Sequence, residues 1–526
     1  MNYQSKQCMF FALPIICILS ACTGANTALE PKNVRDTVAA DLREAYKVDA
    51  ADDGILTLEL AIARAIKYNL DTKVAETEAF VSARDVTLTG LKALPTASLS
   101  VNRVGRSNLG GSSSRSLLTG IQSLEPSIST DQYRNTEQLN ASWNALEAGL
   151  AISQARSATD RERVALERKR RVFEDVVSST YSAYWRAAVA QRSAPMILGL
   201  KTGVDDQIKR LDAAAKAGVM PLGDAKTLKA TLLAKRAALD GLQERIHMSE
   251  LGLATLIGLP PGAPLRLDLS DEKWLAADKL PTISRDEETL RAVALVNRPE
   301  MRQELLNKTI SARNVTAEIF ATFPGAEAVL TGNRDSNSFL ANSSWFDWTL
   351  GLTQSITKVL TFPARYRRAK ADQKLTETRR HALVAAVVTQ VAIARTRYDF
   401  MRQMFNATAD VDENNRVLAR RADGYAKAGM MGGPQRMVAE VDAAISSMDR
   451  MNSYAGAQEA YAQLLFTLGL GLWSGNKDGI ELPEIARNVR ANLIALEDQL
   501  LKADVKATAG RAANDNVEGK EAQSRS

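Results

Sequence analysis

The residue types on which catalysis usually depends are few in this sequence, and they do not stand at catalytic spacings. The two histidines, His247 and His381, each stand alone within a helical pattern. Neither belongs to an H-E-x-x-H pair, and no phosphate-binding, dinucleotide-binding or nucleophile-elbow motif occurs. Neighbouring acids such as Asp205 and Asp206 are typical of a solvated helix surface. The sequence therefore predicts a protein that is not an enzyme and that holds no metal or cofactor.

Cysteine chemistry is confined to the start of the chain, at Cys8, Cys17 and Cys22. Residues 1–21 are typical of a signal peptide, because an apolar run over Met9–Leu19 follows a positive start. The "LSAC" that ends at Cys22 resembles the lipobox of bacterial lipoproteins, which implies an acylated Cys22 and a lipid anchor and tether over 22–54. The alternative is an ordinary signal peptide with an incidental cysteine.

Composition favours long helices that pack through small side chains. The chain has 526 residues, of which 45% are hydrophobic and only 6% aromatic, and alanine is abundant. The net charge of +6 is spread along the chain without a basic, aromatic-rich block, so we expect no nucleic-acid partner. After Cys22 no run of eighteen apolar residues occurs, and the nearest, Ala382–Ala394, is interrupted. Any membrane crossing by this chain must therefore use strands.

An internal duplication organises the rest of the chain. The phrase "KAGVMPLGD" at 216–224 returns as "KAGMMGGPQ" at 427–435, an offset of 211 residues. The same offset places Gly258 on Gly469, and a second match upstream has an offset of 229. The duplication predicts a first repeat over 55–259, a linker over 260–283, a second repeat over 284–470 and a polar tail over 471–526, disordered from about Lys506.

Each repeat is predicted to contain two strands between helices. A helix is expected from Leu58 to Leu94, and Pro95 ends it. Strand-like alternation follows around Leu99 and again around Leu139, with the Gly/Ser-rich loop Asn108–Gly120 between them. The second repeat shows the same alternation around Leu350, which makes four strands per chain. Four strands cannot close a useful cylinder, so either several chains contribute or the strands form a small covered sheet.

Two very long helices are predicted, one from Ala148 to about Ala215 and one from Ala364 to about Lys427. Each would be on the order of 100 Å long at 1.5 Å per residue. Gly218 and Gly429 then suit helix C-caps, so each repeated phrase predicts the tip of a helical hairpin. A heptad stripe on the first returning helix predicts a packed seam. Its positions are Ala225, Leu228, Leu232, Lys235, Leu239, Leu242, Ile246, Ser249, Leu253 and Leu256, and the second repeat has Met437, Val441, Ala444, Met448, Met451 and Ala455.

The ordered, duplicated set of motifs resembles the TolC family of outer-membrane efflux and secretion channels. The motifs are "LTLELAIARAIKYN", "ALPTASLSV", "KAGVMPLGDAKTL" and "LATLIGLP". The resemblance implies a mainly α chain with a small β part, built from a duplicated helix–strand–strand–helix–helix unit. It also implies a homotrimer with a twelve-stranded β-barrel in the outer membrane above a periplasmic coiled-coil α-barrel.

The same resemblance implies partners and sites. A periplasmic adaptor would dock on the two tips, and an inner-membrane pump of RND or ABC type would select the cargo, for efflux or for type I secretion. The tip residues are Lys216, Ala217, Gly218, Val219, Met220, Lys427, Ala428, Gly429, Met430 and Met431. Asp224 and Gln435 stand where family gates carry acidic rings. Three copies of Asp224 would raise one another's pKa, although an aspartate at a helix N-terminus is equally well explained by the helix dipole.

A lipid-anchored periplasmic coiled-coil scaffold is the main alternative to a channel. It explains the lipobox, the heptads and the alanine-rich helices. It does not explain two strand pairs at equivalent places in a repeat. Accessibility of Asn108–Gly120 from outside intact cells distinguishes the two hypotheses, because only a channel exposes that loop.

Overall fold

The structure is a computed structural model that describes residues 31–46, 54–269, 280–473 and 479–502. Cys22, the signal peptide and the tail beyond Lys506 lie outside the described residues. The helices are α1 Pro31–Ala45, α2 Leu58–Tyr68, α3 Leu70–Leu91, α4 Ala145–Lys216, α5 Leu222–Leu256, α6 Glu287–Asn297, α7 Pro299–Phe320, α8 Ile356–Lys427, α9 Gly433–Thr467 and α10 Leu482–Lys502. The strands are β1 Thr96–Gly105, β2 Gly111–Ser112, β3 Ser127–Ile128, β4 Tyr133–Asn144, β5 Gly325–Asp335 and β6 Ser344–Thr353.

The predicted duplication is present in the helices residue for residue. Helices α2 and α6 each have 11 residues, α3 and α7 have 22, α4 and α8 have 72, and α5 and α9 have 35. Equivalent residues are 229 apart up to the start of β5 and 211 apart from the start of α8. The length difference between the repeats lies between their two strands.

The helix that we expected to run unbroken from Leu58 to Leu94 is interrupted at Asn69. The Asn69 backbone is extended, its N–H closes α2 on Ala65, and its side chain caps α3 by accepting hydrogen bonds from Asp71 and Thr72. Asparagine favours such caps because its side chain competes for backbone groups. In the second repeat, the Arg298–Pro299 step makes the equivalent break, since proline fits the first turn of a helix but disfavours a helical residue before it.

Four antiparallel strands form one sheet in the order β1-β4-β5-β6. The β4–β5 pair joins the two repeats, and β1 and β6 are the edges. The four predicted strands are therefore confirmed. The segment between β1 and β4 contains one further element, a short antiparallel ladder in which β2, within the Gly/Ser-rich loop, pairs with β3.

The two long helices run from the sheet to the hairpin tips. Helix α4 begins at Ala145, close to the prediction, and contains Pro195. Helix α8 begins at Ile356 rather than Ala364, with Pro363 inside it. Proline eight residues into a helix costs an interior hydrogen bond, and the Ser355 cap, which accepts from the Lys358 N–H, sets the start instead.

The predicted seams are packed. On α5 the residues Ala225, Leu232, Leu239, Leu242, Ile246 and Leu253 are buried, and on α9 all six predicted seam residues are buried. The seam on α9 begins at Met437, one residue beyond the position that the 211-residue offset gives for Ala225. The two helices also have different neighbours. Helix α5 packs mainly on α4, whereas α9 packs between α8 and α4 and so buries a wider face. Aromatic residues are few in the sequence, yet Trp185, Phe405 and Tyr454 meet edge to face where these helices cross.

Helix α10 differs from the prediction of a polar tail over 471–526. It packs on α2 and buries Ile485 and Val489 in a core to which both repeats contribute. The Lys67 ammonium donates a hydrogen bond to the Ile480 carbonyl just before α10, which helps to hold it there.

Candidate functional site

The sheet has one apolar face, and that face is exposed. Side chains alternate between the two faces of a strand, so the register of paired residues shows which ones share a face. The apolar face carries Ala97, Leu99, Val101, Leu139, Ala141, Trp143, Ala328, Leu330, Phe346, Trp348, Leu350 and Leu352. Trp348, Leu350 and Leu352 are 75%, 74% and 78% exposed. A continuous exposed apolar patch of this kind marks an interaction with a membrane or a partner.

The opposite face of the sheet is polar and less exposed. It carries Ser98, Ser100, Asn102, Gln138, Asn140, Ser142, Thr331, Asn333 and Asp347. Asn333 donates a hydrogen bond to the Asp347 carboxylate over 2.8 Å, and the Trp345 indole donates to it over 2.9 Å. At the end of the sheet furthest from the helices, Arg134 pairs with Asp335 over 2.9 Å. The sheet thus reverses the usual arrangement of a soluble protein, in which the apolar face is the covered one.

None of the helices in the described ranges is long and apolar enough to span a membrane. Within the same ranges, no group of three or more His, Cys, Asp or Glu side chains is placed to hold a metal ion.

The two predicted tips have the same geometry. Gly218 and Gly429 have φ of +69° and +71°, a region that favours glycine. The next N–H, of Val219 or Met430, donates to the carbonyl of Ala214 or Tyr425 over 3.1 and 2.8 Å, which completes a Schellman cap. Val219 and Met430 are 81% and 71% exposed, so each tip presents one apolar side chain at an equivalent position.

Ion pairs brace each tip across its turn. In the first tip Lys229 pairs with Asp212 over 2.7 Å, and in the second Arg436 pairs across the turn with Asp423 over 3.0 Å and along its own helix with Glu440 over 3.1 Å. The hydrogen bonds from Lys427 and Arg436 hold the pKa of Asp423 below its usual value. A further pair, Lys235 with Asp442, joins the returning helices of the two repeats.

Asp224 and Gln435, the candidate gate residues, lie near the tips and are exposed. Asp224 lies in the first turn of α5, where a carboxylate interacts favourably with the helix dipole. In a single chain their side chains face no common space that the structure defines. Their role in a gate stays a prediction.

The junction of the repeats is charged and largely buried. Arg170 on α4 donates to the Glu174 carboxylate over 2.8 Å and to the Gly469 carbonyl over 2.8 Å. Arg171 and Arg298 both pair with Glu300 on α7. Burial raises the pKa of Glu174 to about 6, against the opposing effect of Arg170. We call Arg170, Arg171, Glu174, Arg298 and Glu300 the inter-repeat ion cluster, and no spacing in the sequence predicts it.

Two helix faces are apolar and uncovered. On α3 the exposed residues are Leu70, Val74, Val81, Leu88 and Leu91, and on α8 they are Ile393, Phe400, Met404, Val411, Leu418 and Tyr425. The α3 residues follow one another at spacings of three, four and seven and the α8 residues at spacings of four and seven, which is the pattern of a coiled-coil seam. The heptad count that found the α5 seam could have found these stripes as well.

The fold is shared with solved outer-membrane channels. The Campylobacter jejuni CmeC outer membrane channel is 13% identical with a TM-score of 0.62, covering 83% of this chain and 89% of that one. The outer membrane protein VceC of Vibrio cholerae is 15% identical, with a TM-score of 0.59 and 78% and 96% coverage. The Neisseria gonorrhoeae MtrE outer membrane channel, in an open state, is 17% identical, with a TM-score of 0.56 and 78% and 88% coverage.

No family model and no curated protein sequence matches this chain. The likeness therefore lies in the three-dimensional fold. The chain has the TolC-type outer-membrane channel fold that its duplicated motifs predicted.

Proposed function

We propose that this chain is the outer-membrane channel component of a tripartite efflux or type I secretion system. One observation carries the proposal: one face of the sheet is apolar and exposed, and the opposite face is polar. That arrangement suits a sheet with lipid outside and water inside. The long helices extend from the sheet for on the order of 100 Å, which suits a conduit that reaches across the periplasm. The fold shared with outer-membrane channels supports the same reading.

The contacts between the repeats support a ring of identical chains. Helix α4 of the first repeat packs on α7 and α9 of the second, and β4 pairs with β5. Helix α8 is equivalent to α4, yet within the chain it packs mainly on α6, α7 and α9 of its own repeat. A neighbouring copy would supply the missing partners, with its α3 and α5 against α8 and its β1 beside β6. Head-to-tail contacts of this kind close into rings.

The uncovered surfaces lie where this ring needs them. The apolar stripes belong to α3 and α8, and the unpaired strand edges belong to β1 and β6. A single four-stranded sheet is too small to close around a lumen, since about eight strands enclose only a filled interior. We propose a homotrimer, as the family resemblance implies, with twelve strands in one closed sheet.

The tips are the proposed contact with the rest of the system. Val219 and Met430 present apolar side chains at two equivalent helical turns, which suits docking to a repeated hairpin of a periplasmic adaptor. Opening at the tip, with Asp224 and Gln435 as gate residues, belongs to the same proposal. The adaptor would connect the channel to an inner-membrane pump of RND or ABC type, which supplies the energy and selects the cargo. Acylation of Cys22 would anchor the chain to the outer membrane.

The mass of the protein extracted from membranes in a mild detergent tests this function. We expect a trimer by native mass spectrometry, and we expect it to stay membrane-bound when Cys22→Ser is combined with a non-lipoprotein signal, because the sheet itself is held by lipid. A monomer or dimer that leaves the membrane once the anchor is removed would contradict the channel and favour a periplasmic scaffold.

A further inference from the structure

A cavity of about 310 Å³ lies where the helices join the sheet. All four junctions border it, namely α3 to β1, β4 to α4, α7 to β5 and β6 to α8. Thr96, Ser142 and Asn144, which belong to the polar face of the sheet, form part of its wall. These three residues lie on the face that the proposed function assigns to the lumen, whereas Trp143 contributes to the wall from the apolar face. Its volume falls in the range of sites that hold small organic molecules.

Four charged side chains line this cavity, two of each sign. Lys92 ends α3, Glu147 lies in the first turn of α4, Glu327 lies on β5, and Lys358 lies in the first turn of α8. None of the four side chains makes a hydrogen bond or an ion pair with another residue of the described ranges. Charges at the tips behave differently, since Asp423 there engages both Lys427 and Arg436. We call Lys92, Glu147, Glu327 and Lys358 the junction charges.

Apolar side chains complete the wall. They are Leu94, Trp143, Leu146, Leu150 and Phe323. The Trp143 indole donates a hydrogen bond to the Ala93 carbonyl over 3.1 Å, which fixes its ring beside the cavity. The cavity thus offers an apolar surface next to cations and anions that have no ion-pair partner in the part of the chain that the structure describes.

We propose that this cavity binds small amphipathic zwitterions, molecules with an ammonium group, an acidic group and an apolar body. The junction charges sum to zero, so a guest with one charge gains attraction from two side chains and repulsion from the other two. A guest with both charges gains attraction at both ends. Such a guest is either a zwitterionic solute in transit or the headgroup region of a zwitterionic phospholipid. The assignment of the polar face to a lumen rests on the proposed function, whereas binding itself needs only one folded chain.

Matched amphiphiles test the proposal on the detergent-purified full chain in dodecyl maltoside. Octyl sulfobetaine, octyltrimethylammonium, octyl sulfate and octyl glucoside share one alkyl chain and differ only in headgroup charge. We expect calorimetric titration to show the sulfobetaine bound roughly tenfold more tightly than either singly charged probe. Equal binding of all four probes would overturn the proposal.

Charge-removing variants give an internal check, because misfolding would abolish binding of every probe and would not change which probe is preferred. Lys92→Gln with Lys358→Gln leaves the two acids, so the preference should move to octyltrimethylammonium. Glu147→Gln with Glu327→Gln leaves the two lysines, so the binding preference should move to octyl sulfate. Lys308→Gln removes an exposed lysine on α7 outside the cavity and should keep the sulfobetaine preference. A preference that does not move in either double variant would overturn the assignment.

Two further results separate the sources of the ligand. Phosphatidylethanolamine that is retained through purification, and lost in the double lysine variant, identifies a lipid headgroup. A lipid-free protein that binds the sulfobetaine identifies a solute site. Because binding is measured on the purified chain, its loss in a protein that still forms a membrane trimer overturns only this proposal. Binding by a chain that is not a membrane trimer overturns the channel instead.

Discussion

At the scale of single residues, the end of each returning helix depends on a glycine. Gly258 and Gly469 have φ of +76° and +68°, and each packs against the break between the two short helices of its own repeat. A Cβ on Gly469 would lie 2.7 Å from the Arg298 backbone nitrogen. The carbonyl of Gly469 also accepts a hydrogen bond from Arg170 in the inter-repeat ion cluster.

Gly469→Ala should therefore destabilise the fold. The left-handed backbone alone costs about 1–2 kcal/mol for a residue with a Cβ, and the overlap with backbone atoms adds to that. We expect a lower midpoint in thermal unfolding of the purified protein. Gly241→Ala is the matched control, because a Cβ there meets nothing within 4 Å and alanine favours the helix. Equal midpoints for Gly469→Ala and the native chain would contradict the packing described.

The buried Glu174 carboxyl should make the stability of the fold depend on pH. Burial raises its pKa to about 6 from an ordinary value of 4.5, so the folded protein binds this proton more tightly than the unfolded chain does. The resulting stability is fully present below pH 4.5 and is lost as the pH rises through about 6. The shift corresponds to roughly 2 kcal/mol.

The check is unfolding of native protein and of Glu174→Gln at pH 4.5, 6 and 8. The variant cannot ionise at this position. Its free energy of unfolding relative to that of the native chain should therefore rise with pH and level off above pH 7. A difference between the two proteins that stays constant over this range would show that Glu174 does not titrate there.

At the scale of elements, the repeat predicts which residues of neighbouring copies meet. Within the chain, Arg313 on α7 forms an ion pair with Asp160 on α4. The residues equivalent to these two are Arg84 on α3 and Ala371 on α8. Both are exposed in a single chain, which is what an interface between copies requires.

Arg84→Cys combined with Ala371→Cys should therefore form a disulfide between chains under mild oxidation in membranes. We expect ladders of two and three chains on non-reducing gels. Arg161→Cys with Ala371→Cys is the control, because α4 is flanked on both sides by helices of its own chain and should not reach a neighbouring α8. Crosslinks within one chain only, or no crosslinks, would contradict the head-to-tail ring.

At the scale of the whole molecule, the sequence predicted the features that are local or repeated. Glycines with positive φ at the tips, the α5 seam and the four strands each depend on a short stretch of residues. Alternation along the strands separated two faces, but only the structure shows that the face with Trp348 and Leu350 is exposed.

Features that depend on distant parts of the chain were missed. The inter-repeat ion cluster joins Arg170 to Gly469. Helix α10 is packed because its few apolar side chains meet α2, which lies far away in the sequence. The cavity at the helix–sheet junctions needs four separate segments to come together. No spacing within a single stretch of sequence carries that information.

The central claim is that the sheet crosses the outer membrane, with its long loop outside and the tips in the periplasm. Protease accessibility in intact cells tests it most directly, with a cleavage site inserted between Ser113 and Ser114 in the loop, or between Gly432 and Gly433 in the second tip. We expect the loop site to be cut by protease added outside, and the tip site to be cut only after the outer membrane is permeabilised. Protection of both sites until permeabilisation would place the whole chain in the periplasm and contradict the channel.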